Sequence, residues 1–67
     1  MDKSFLYLIG RTKQDVIEEF GHGFNFYPDN QWTYIIGEKL IIIQKVLYIS
    51  FEETVVVQVN IRSILRV

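Results

Sequence analysis

The chain is 67 residues long, enough for one small domain, and its 7 basic and 8 acidic residues give a formal net charge of −1. The basic residues are scattered, so the sequence lacks the positively charged face that is typical of nucleic-acid-binding proteins. The absence of cysteine excludes disulfides and thiolate metal ligands, which leaves self-association as a way to stabilise so short a chain.

The first residues and the most aliphatic run both argue against a membrane protein. Residues 1–4 do not form a secretory signal, because no apolar stretch of useful length precedes a small-residue cleavage site. The run at residues 40–43 is far shorter than the roughly 20 residues that a spanning helix needs. We therefore expect a cytoplasmic protein with no membrane span.

Residues 5–9 are apolar throughout and too few for periodicity to distinguish a strand from a turn of helix. We interpret them as an extended or irregular segment that packs against a sheet. Gly10 ends this segment.

The clearest local signal is a capped helix over residues 12–20. Thr12 is a favourable N-cap residue, and Asp15 lies three positions later, where a capping box places its acidic partner. Gly21 follows the last apolar position, as expected for a glycine that ends a helix. The predicted apolar face consists of Val16, Ile17 and Phe20. The residues expected to point away from it are Lys13, Gln14, Glu18 and Glu19.

Residues 22–30 are predicted to form a loop. Pro28 favours the second position of a turn at residues 27–30, and Asp29 and Asn30 suit the positions that follow. The loop is unusually rich in aromatic residues: Phe24, Phe26 and Tyr27. We expect these side chains to fold over the open end of the core, since large aromatic residues supply much of the buried area in a small domain.

Strand signals begin at Gln31, where Trp32, Tyr34 and Ile36 alternate with Thr33 and Ile35. Gly37 and Glu38 are predicted to form a two-residue hairpin turn with glycine first. The alternative is an irregular connection over residues 37–45. With the turn, the next strand would be roughly twice the usual length, so we expect a bulge or bend near Gln44 and Lys45.

Two later segments alternate with period two and are separated by a turn at residues 52–54. The first has a predicted dry face of Leu47, Ile49 and Phe51, with Tyr48 and Ser50 on its outer face. The second has a predicted dry face of Val55, Val57, Val59 and Ile61. Its predicted wet face consists of Val56, Gln58, Asn60 and Arg62.

Together these elements predict a single α+β domain over residues 1–67, with one main helix packed on a three- or four-stranded antiparallel meander sheet. The predicted core is Val16, Ile17, Phe20, Trp32, Tyr34, Leu47, Ile49, Phe51, Val55, Val57 and Val59. One helix can cover only one face of such a sheet. The apolar run at residues 40–43 has no polar face, which indicates a surface for a partner.

The order of these motifs resembles a known family. Gly10, Thr12, Val16, Phe20 and Gly21 form a helix pattern, which precedes Trp32-Thr33-Tyr34 and the strand at residues 47–51. Over about residues 10–59 this resembles the SmpA/OmlA (BamE-like) group and the repeat unit of β-lactamase inhibitor protein. The resemblance implies action through protein–protein contact, in envelope assembly or inhibition. The chain departs from the pattern by having His22-Gly23 where the group has proline, and it lacks an acylated cysteine.

Candidate catalytic groups are few. His22 is the single histidine, and general acid–base catalysis needs a positioned partner. Glu18 and Glu19 diverge by about 100° on a helix, and Glu52 and Glu53 occupy a turn. We therefore expect no catalytic, cofactor or metal site. An enzyme that uses His22 with Asp29 is kept as a less favoured alternative.

The sequence thus favours a non-catalytic protein–protein interaction domain that associates with itself. One alternative is an inhibitor or immunity-type protein that binds its partner through the aromatic residues at 24–27; another is a fragment of an envelope lipoprotein. An exposed edge strand could also provide the contact. The candidate interaction surface consists of Phe24, Phe26, Tyr27, Leu40, Ile41, Ile42, Ile43, Tyr48, Val56 and Gln58.

Overall fold

The computed structural model describes residues 5–39 and 43–65. A 3₁₀ turn (Leu6–Leu8) precedes the helix α1 (Lys13–Phe20), and three strands follow: β1 (Gln31–Lys39), β2 (Ile43–Glu52) and β3 (Val55–Leu65). The strands form one antiparallel sheet in the order β1-β2-β3. The α+β class is confirmed, with three strands in the described part of the chain.

The helix has the ends that its sequence predicts. The Thr12 hydroxyl accepts a hydrogen bond from the Asp15 N–H, and the Asp15 carboxylate accepts one from the Thr12 N–H, both at 3.1 Å. The bond from the Thr12 backbone lowers the pKa of Asp15. At the other end, Gly21 has a φ of +81°, a value that a residue with a Cβ adopts only with strain, and its N–H donates to Ile17.

The segment before the helix is a 3₁₀ turn, so the expectation of an extended or irregular segment is wrong. Phe5 and Leu8 are both buried, whereas Leu6, Tyr7 and Ile9 are exposed. A 3₁₀ turn has three residues per turn, so it places positions 5 and 8 on the same side. An extended chain would have pointed them to opposite sides.

The predicted hairpin turn at Gly37 and Glu38 is wrong, because both residues continue β1. Gly37 does not have the positive φ that a two-residue turn with glycine first requires. Instead, the register shifts there: Ile35 pairs with Val46 and Gly37 with Lys45. The bulge therefore lies opposite Lys45, close to where one was predicted, but its extra residue is in β1.

The buried face of β2 is as predicted, with Leu47, Ile49 and Phe51 all in the core. The alternation predicted for β3 is wrong in its first half. Val56 is 1% exposed, whereas Val57 is 48% exposed and Val55 is also exposed.

The reason is a second bulge in the β2–β3 ladder. Ser50 pairs with Gln58 but Phe51 pairs with Val56, so Val57 is left without a partner opposite it. Beyond such a bulge the inward positions change parity, and Val59 again packs against the core.

The core lies between the sheet and the segments that precede it. Its buried residues are Phe5, Leu8, Val16, Trp32, Tyr34, Leu47, Ile49, Phe51 and Val56. Ile17, Phe20, Ile36 and Val59 are half-buried against them. Tilted ring contacts connect helix and sheet, with 5.3 Å between the ring centroids of Phe20 and Tyr34.

The turn between β2 and β3 leads to the first prediction. Glu53 has a φ of +60°, a conformation that costs a residue with a Cβ about 1–2 kcal/mol. Glu53→Gly removes this cost but adds chain entropy to the unfolded state, so we expect a net stabilisation of about 0.5 kcal/mol in urea denaturation. Thr54→Gly is the matched control, because Thr54 does not have a positive φ; it should destabilise. Equal effects of the two changes would contradict the strain at Glu53.

Candidate interaction surfaces

The loop after the helix is anchored by a buried lysine. Lys13 lies in the first turn of α1 and is only 3% exposed, although its position predicted a solvated side chain. Its ammonium group donates hydrogen bonds to the carbonyl oxygens of Tyr27 and Asp29, at 2.5 and 2.9 Å. Burial of an ammonium group is costly unless its N–H groups donate hydrogen bonds to acceptors inside the protein. Here the acceptors are main-chain carbonyls, which carry no net charge.

Three aromatic rings surround the same ammonium group. The Lys13 Nζ lies 5.1 Å from the ring centroid of Tyr27, 5.3 Å from that of Trp32 and 5.2 Å from that of Phe51. These distances fall within the range of cation–π interaction. Trp32 also contacts each of the other two rings, Tyr27 and Phe51, edge-on. Lys13 thus joins the helix, the loop and the sheet at one point.

Asn25 fixes the middle of the loop to the edge of the sheet. Its side-chain amide accepts from the Thr33 N–H at 2.9 Å and donates to the Thr33 carbonyl at 3.1 Å. It also donates to the His22 carbonyl. The amide therefore bonds to β1 as a neighbouring strand would, and it covers the outer edge of β1 at Thr33.

Two further side chains of β1 hold the loop. The Trp32 indole donates to the Phe26 carbonyl at 3.1 Å, and the Tyr34 hydroxyl donates to the Gly21 carbonyl at 2.8 Å. Burial raises the pKa of Tyr34, which keeps its hydroxyl a donor. Gly23 is required here, because it has a φ of +61° and a Cβ would lie 3.3 Å from the Tyr34 ring.

The aromatic loop (residues 22–30) nevertheless directs most of its rings outward. Phe24 is fully exposed, Phe26 is 66% exposed and Tyr27 is partly exposed against Trp32. The expectation that these rings cover the core is therefore wrong for Phe24 and Phe26. Lys13 and Trp32 supply the physical reason: they bind the carbonyls of residues 26, 27 and 29, so the main chain, rather than these rings, faces the core.

The turn in this loop begins one residue earlier than expected. The Asp29 N–H donates to the Phe26 carbonyl at 3.0 Å, so the turn comprises residues 26–29 and Pro28 occupies its third position.

The other predicted surface residues are dispersed. Ile43 and Tyr48 are half-buried and Gln58 is exposed. Val56, predicted to lie on the outer face, is in the core because of the bulge at Val57. Leu40, Ile41 and Ile42 lie outside the described residues.

The outer face of the sheet, which faces away from the helix, carries mainly polar side chains. Thr33, Tyr48 and Asn60 lie side by side across the three strands, and Gln31, Ser50 and Gln58 form the next row. The most apolar row joins Ile35, Val46 and Arg62. Of the candidate surfaces, the aromatic loop is therefore the most apolar one in the described part of the chain.

A short segment of the chain covers the outer edge of β3 at its beginning. The Gly10 N–H donates to the Val56 carbonyl, and the Val56 N–H donates to the Arg11 carbonyl, at 2.9 and 2.8 Å. The Lys13 N–H donates to the Thr54 carbonyl at 2.8 Å, and Thr12 bridges Val55. Residues 10–13 thus act as a fourth, very short edge partner at this end of the sheet.

Two carboxylates on the helix have local partners. The Tyr7 hydroxyl donates to the Glu19 carboxylate, and Asp15 belongs to the helix cap. His22 is exposed, and no hydrogen bond among the described residues joins its imidazole to Asp29. Within residues 5–39 and 43–65, no three His, Cys, Asp or Glu side chains are grouped to hold a metal ion, and the described helices are too short to cross a bilayer.

Comparison of this chain with protein-family models, with curated proteins and with solved structures finds no match. The resemblance of residues 10–59 to the SmpA/OmlA group and to β-lactamase inhibitor protein therefore stays a hypothesis.

The buried ammonium group leads to the second prediction. Lys13→Met keeps an unbranched side chain but removes the donors to two carbonyls and the cation among three rings. We expect the free energy of unfolding to fall by about 2 kcal/mol in urea denaturation. Gln14→Met, at the exposed neighbouring position, is the control and should change stability by less than about 0.5 kcal/mol. Equal stability of the two variants would show that Lys13 does not anchor the loop.

The Tyr7–Glu19 contact leads to the third prediction. The hydrogen bond to Glu19, followed by burial and the Glu19 charge, raises the pKa of Tyr7 from 10.0 to about 12. The folded state thus favours the protonated phenol, so this stabilisation is complete below pH 10 and is lost as the pH rises through about 12. In urea titrations between pH 8 and 12, Tyr7→Phe and Glu19→Gln should lose less stability with rising pH than the parent protein. Parallel pH profiles for all three would contradict the assignment.

Proposed function

We propose that this protein is a non-catalytic protein–protein interaction domain and that the aromatic loop is its contact surface for a partner. The observation that carries the proposal is the full exposure of Phe24 on a loop whose backbone is fixed. A fully exposed phenylalanine stabilises its own fold little, whereas at an interface it can fill a pocket of another protein.

The rigidity of the loop supports this proposal. The side chain of Asn25, next to Phe24 in the chain, makes three hydrogen bonds, and Lys13 and Trp32 hold the turn that follows. A loop that is ordered before binding loses little conformational entropy when it binds. Exposed aromatic residues on such a loop are therefore suited to anchoring a complex.

The surroundings of Phe24 extend the apolar surface. Phe24 and Ile35, which is also largely exposed, line a shallow cleft with Gly23, Thr33 and Tyr34. Phe26 lies on the same loop. Because Phe24, Tyr34 and Ile35 form most of its lining, this surface offers mainly apolar contact, and shape would determine the choice of partner.

The arrangement of the acidic residues supports a non-catalytic role. Asp15 is bonded in the helix cap and Glu19 to Tyr7, so both carboxylates have partners that belong to the fold. An inhibitor or immunity-type protein that uses the aromatic loop is the form of this function that the exposure of Phe24 favours. Self-association is the other form, and the part of the β3 edge that residues 10–13 leave uncovered favours it.

Photo-crosslinking tests the aromatic loop. With p-benzoylphenylalanine in place of Phe24, irradiation in the native host should produce a discrete adduct. The same amino acid in place of Glu18, which is exposed on the helix, is the control and should produce none.

Binding and folding can be separated by a second variant. Phe24→Ser should abolish binding of the partner that crosslinking identifies. The free energy of unfolding of this variant in urea should change by less than about 0.5 kcal/mol, because the side chain of Phe24 is exposed. No adduct at position 24, or equal adducts at positions 24 and 18, would contradict the proposal.

A further inference from the structure

The outer edge of β3 is open over most of its length. Residues 10–13 cover it only as far as Val56. Beyond Val56, no backbone hydrogen bond from residues 5–39 or 43–65 reaches this edge. Residues 57–65 therefore present main-chain donors and acceptors on the side away from β2.

The composition of this open edge does not protect it. Natural edge strands usually carry lysines, prolines or short lengths that prevent pairing with another chain. Residues 57–65 contain one charge, Arg62, and no proline. Apolar side chains along it are exposed: Val57, Ile61, Ile64 and Leu65.

We propose that a second copy of this chain adds its own β3 to this edge, antiparallel and about a two-fold axis at Ile61. The inference rests on the proposed interaction function and names a second surface for it, on the opposite edge of the sheet from the aromatic loop. Two three-stranded sheets then form one six-stranded sheet. A two-fold contact uses the same surface on both copies, so the pairing closes after two.

The hydrogen-bond pattern identifies the backbone groups that face the partner. Val56 directs both its N–H and its carbonyl away from β2. After the bulge at Val57, Gln58 pairs with Ser50. Because residues of an antiparallel ladder alternate between the two sides, the outward-facing groups then belong to Val59, Ile61 and Ser63.

Ile61 is the centre that uses the whole open edge, because it lies midway between residues 57 and 65. An axis at Asn60 would move the end of the partner strand against Val56, which residues 10–13 already cover. An axis at Arg62 would place two like charges directly opposite each other, which destabilises a ladder. With the axis at Ile61, Arg62 lies opposite Asn60 of the second copy.

The size of the contact sets its strength. An edge of this length extends about 30 Å at the rise of an antiparallel strand, and a sheet is about 10 Å thick. The footprint is therefore about 300 Å² on each copy, below that of a standard stable interface. We therefore expect a weak dimer that forms only at high protein concentration.

Charge changes at Asn60 test this register. Asn60→Glu places a carboxylate opposite Arg62 of the second copy twice in each dimer, and Asn60→Lys places a like charge there. By sedimentation equilibrium from 10 μM to 1 mM protein, the first should tighten the dimer and the second weaken it, each by roughly twofold to thirtyfold. Asn60 is exposed, so neither change should affect folding.

Matched charge changes at Thr33 are the controls. Thr33 is exposed on β1, so Thr33→Glu and Thr33→Lys should leave the dissociation constant unchanged. A monomer throughout this concentration range, or equal effects at positions 60 and 33, would overturn the β3 pairing. Photo-crosslinking at position 24 is independent of this result, so the two proposals can fail separately.

Amide exchange provides a second readout on the parent protein. The N–H groups of Val59, Ile61 and Ser63 should become protected as the protein concentration rises. Those of Gln58, Asn60 and Arg62 face β2 and should show protection that does not depend on concentration. Concentration-dependent protection that avoids the first three would also overturn the pairing.

Discussion

The ammonium group of Lys13 is the interaction on which the rest of this structure depends. It lies where the first turn of the helix, the aromatic loop and the centre of the sheet meet. A lysine can occupy this place because two carbonyls accept its protons and three rings face its charge. In a domain with no disulfide, this contact connects elements that are distant in the chain.

The position of the loop backbone determines which apolar groups stay outside. Because Lys13 and Trp32 bind the carbonyls of residues 26, 27 and 29, the main chain approaches the core and Phe24 points to solvent. The same packing brings residues 10–13 against the beginning of β3. The two surfaces proposed for binding thus lie at opposite edges of the sheet: the aromatic loop beside β1, and residues 57–65 on β3.

Local signals in the sequence were sufficient for several elements. The cap residues Thr12 and Asp15 and the terminating Gly21 determine the helix through bonds within a few residues. The alternation of Leu47, Ile49 and Phe51 identifies the buried face of β2. It does so because the extra residue of each bulge lies in a neighbouring strand and not in β2. The α+β class followed from the order of these elements. The exposure of the aromatic loop and the open edge of β3 did not follow from any local pattern.

The sequence by itself determined the helix and its caps, because these depend on contacts between near neighbours. It also determined the buried face of β2, because the alternation along that strand is unbroken. Only the tertiary structure decided the burial of Lys13, the outward position of Phe24 and the exchange of Val57 for Val56 in the core. Each of these depends on partners far away in the chain: carbonyls of the loop for Lys13, and the register with β2 for Val56. An alternating sequence pattern cannot show the position of a β-bulge, because the bulge depends on how the strand pairs with its neighbour.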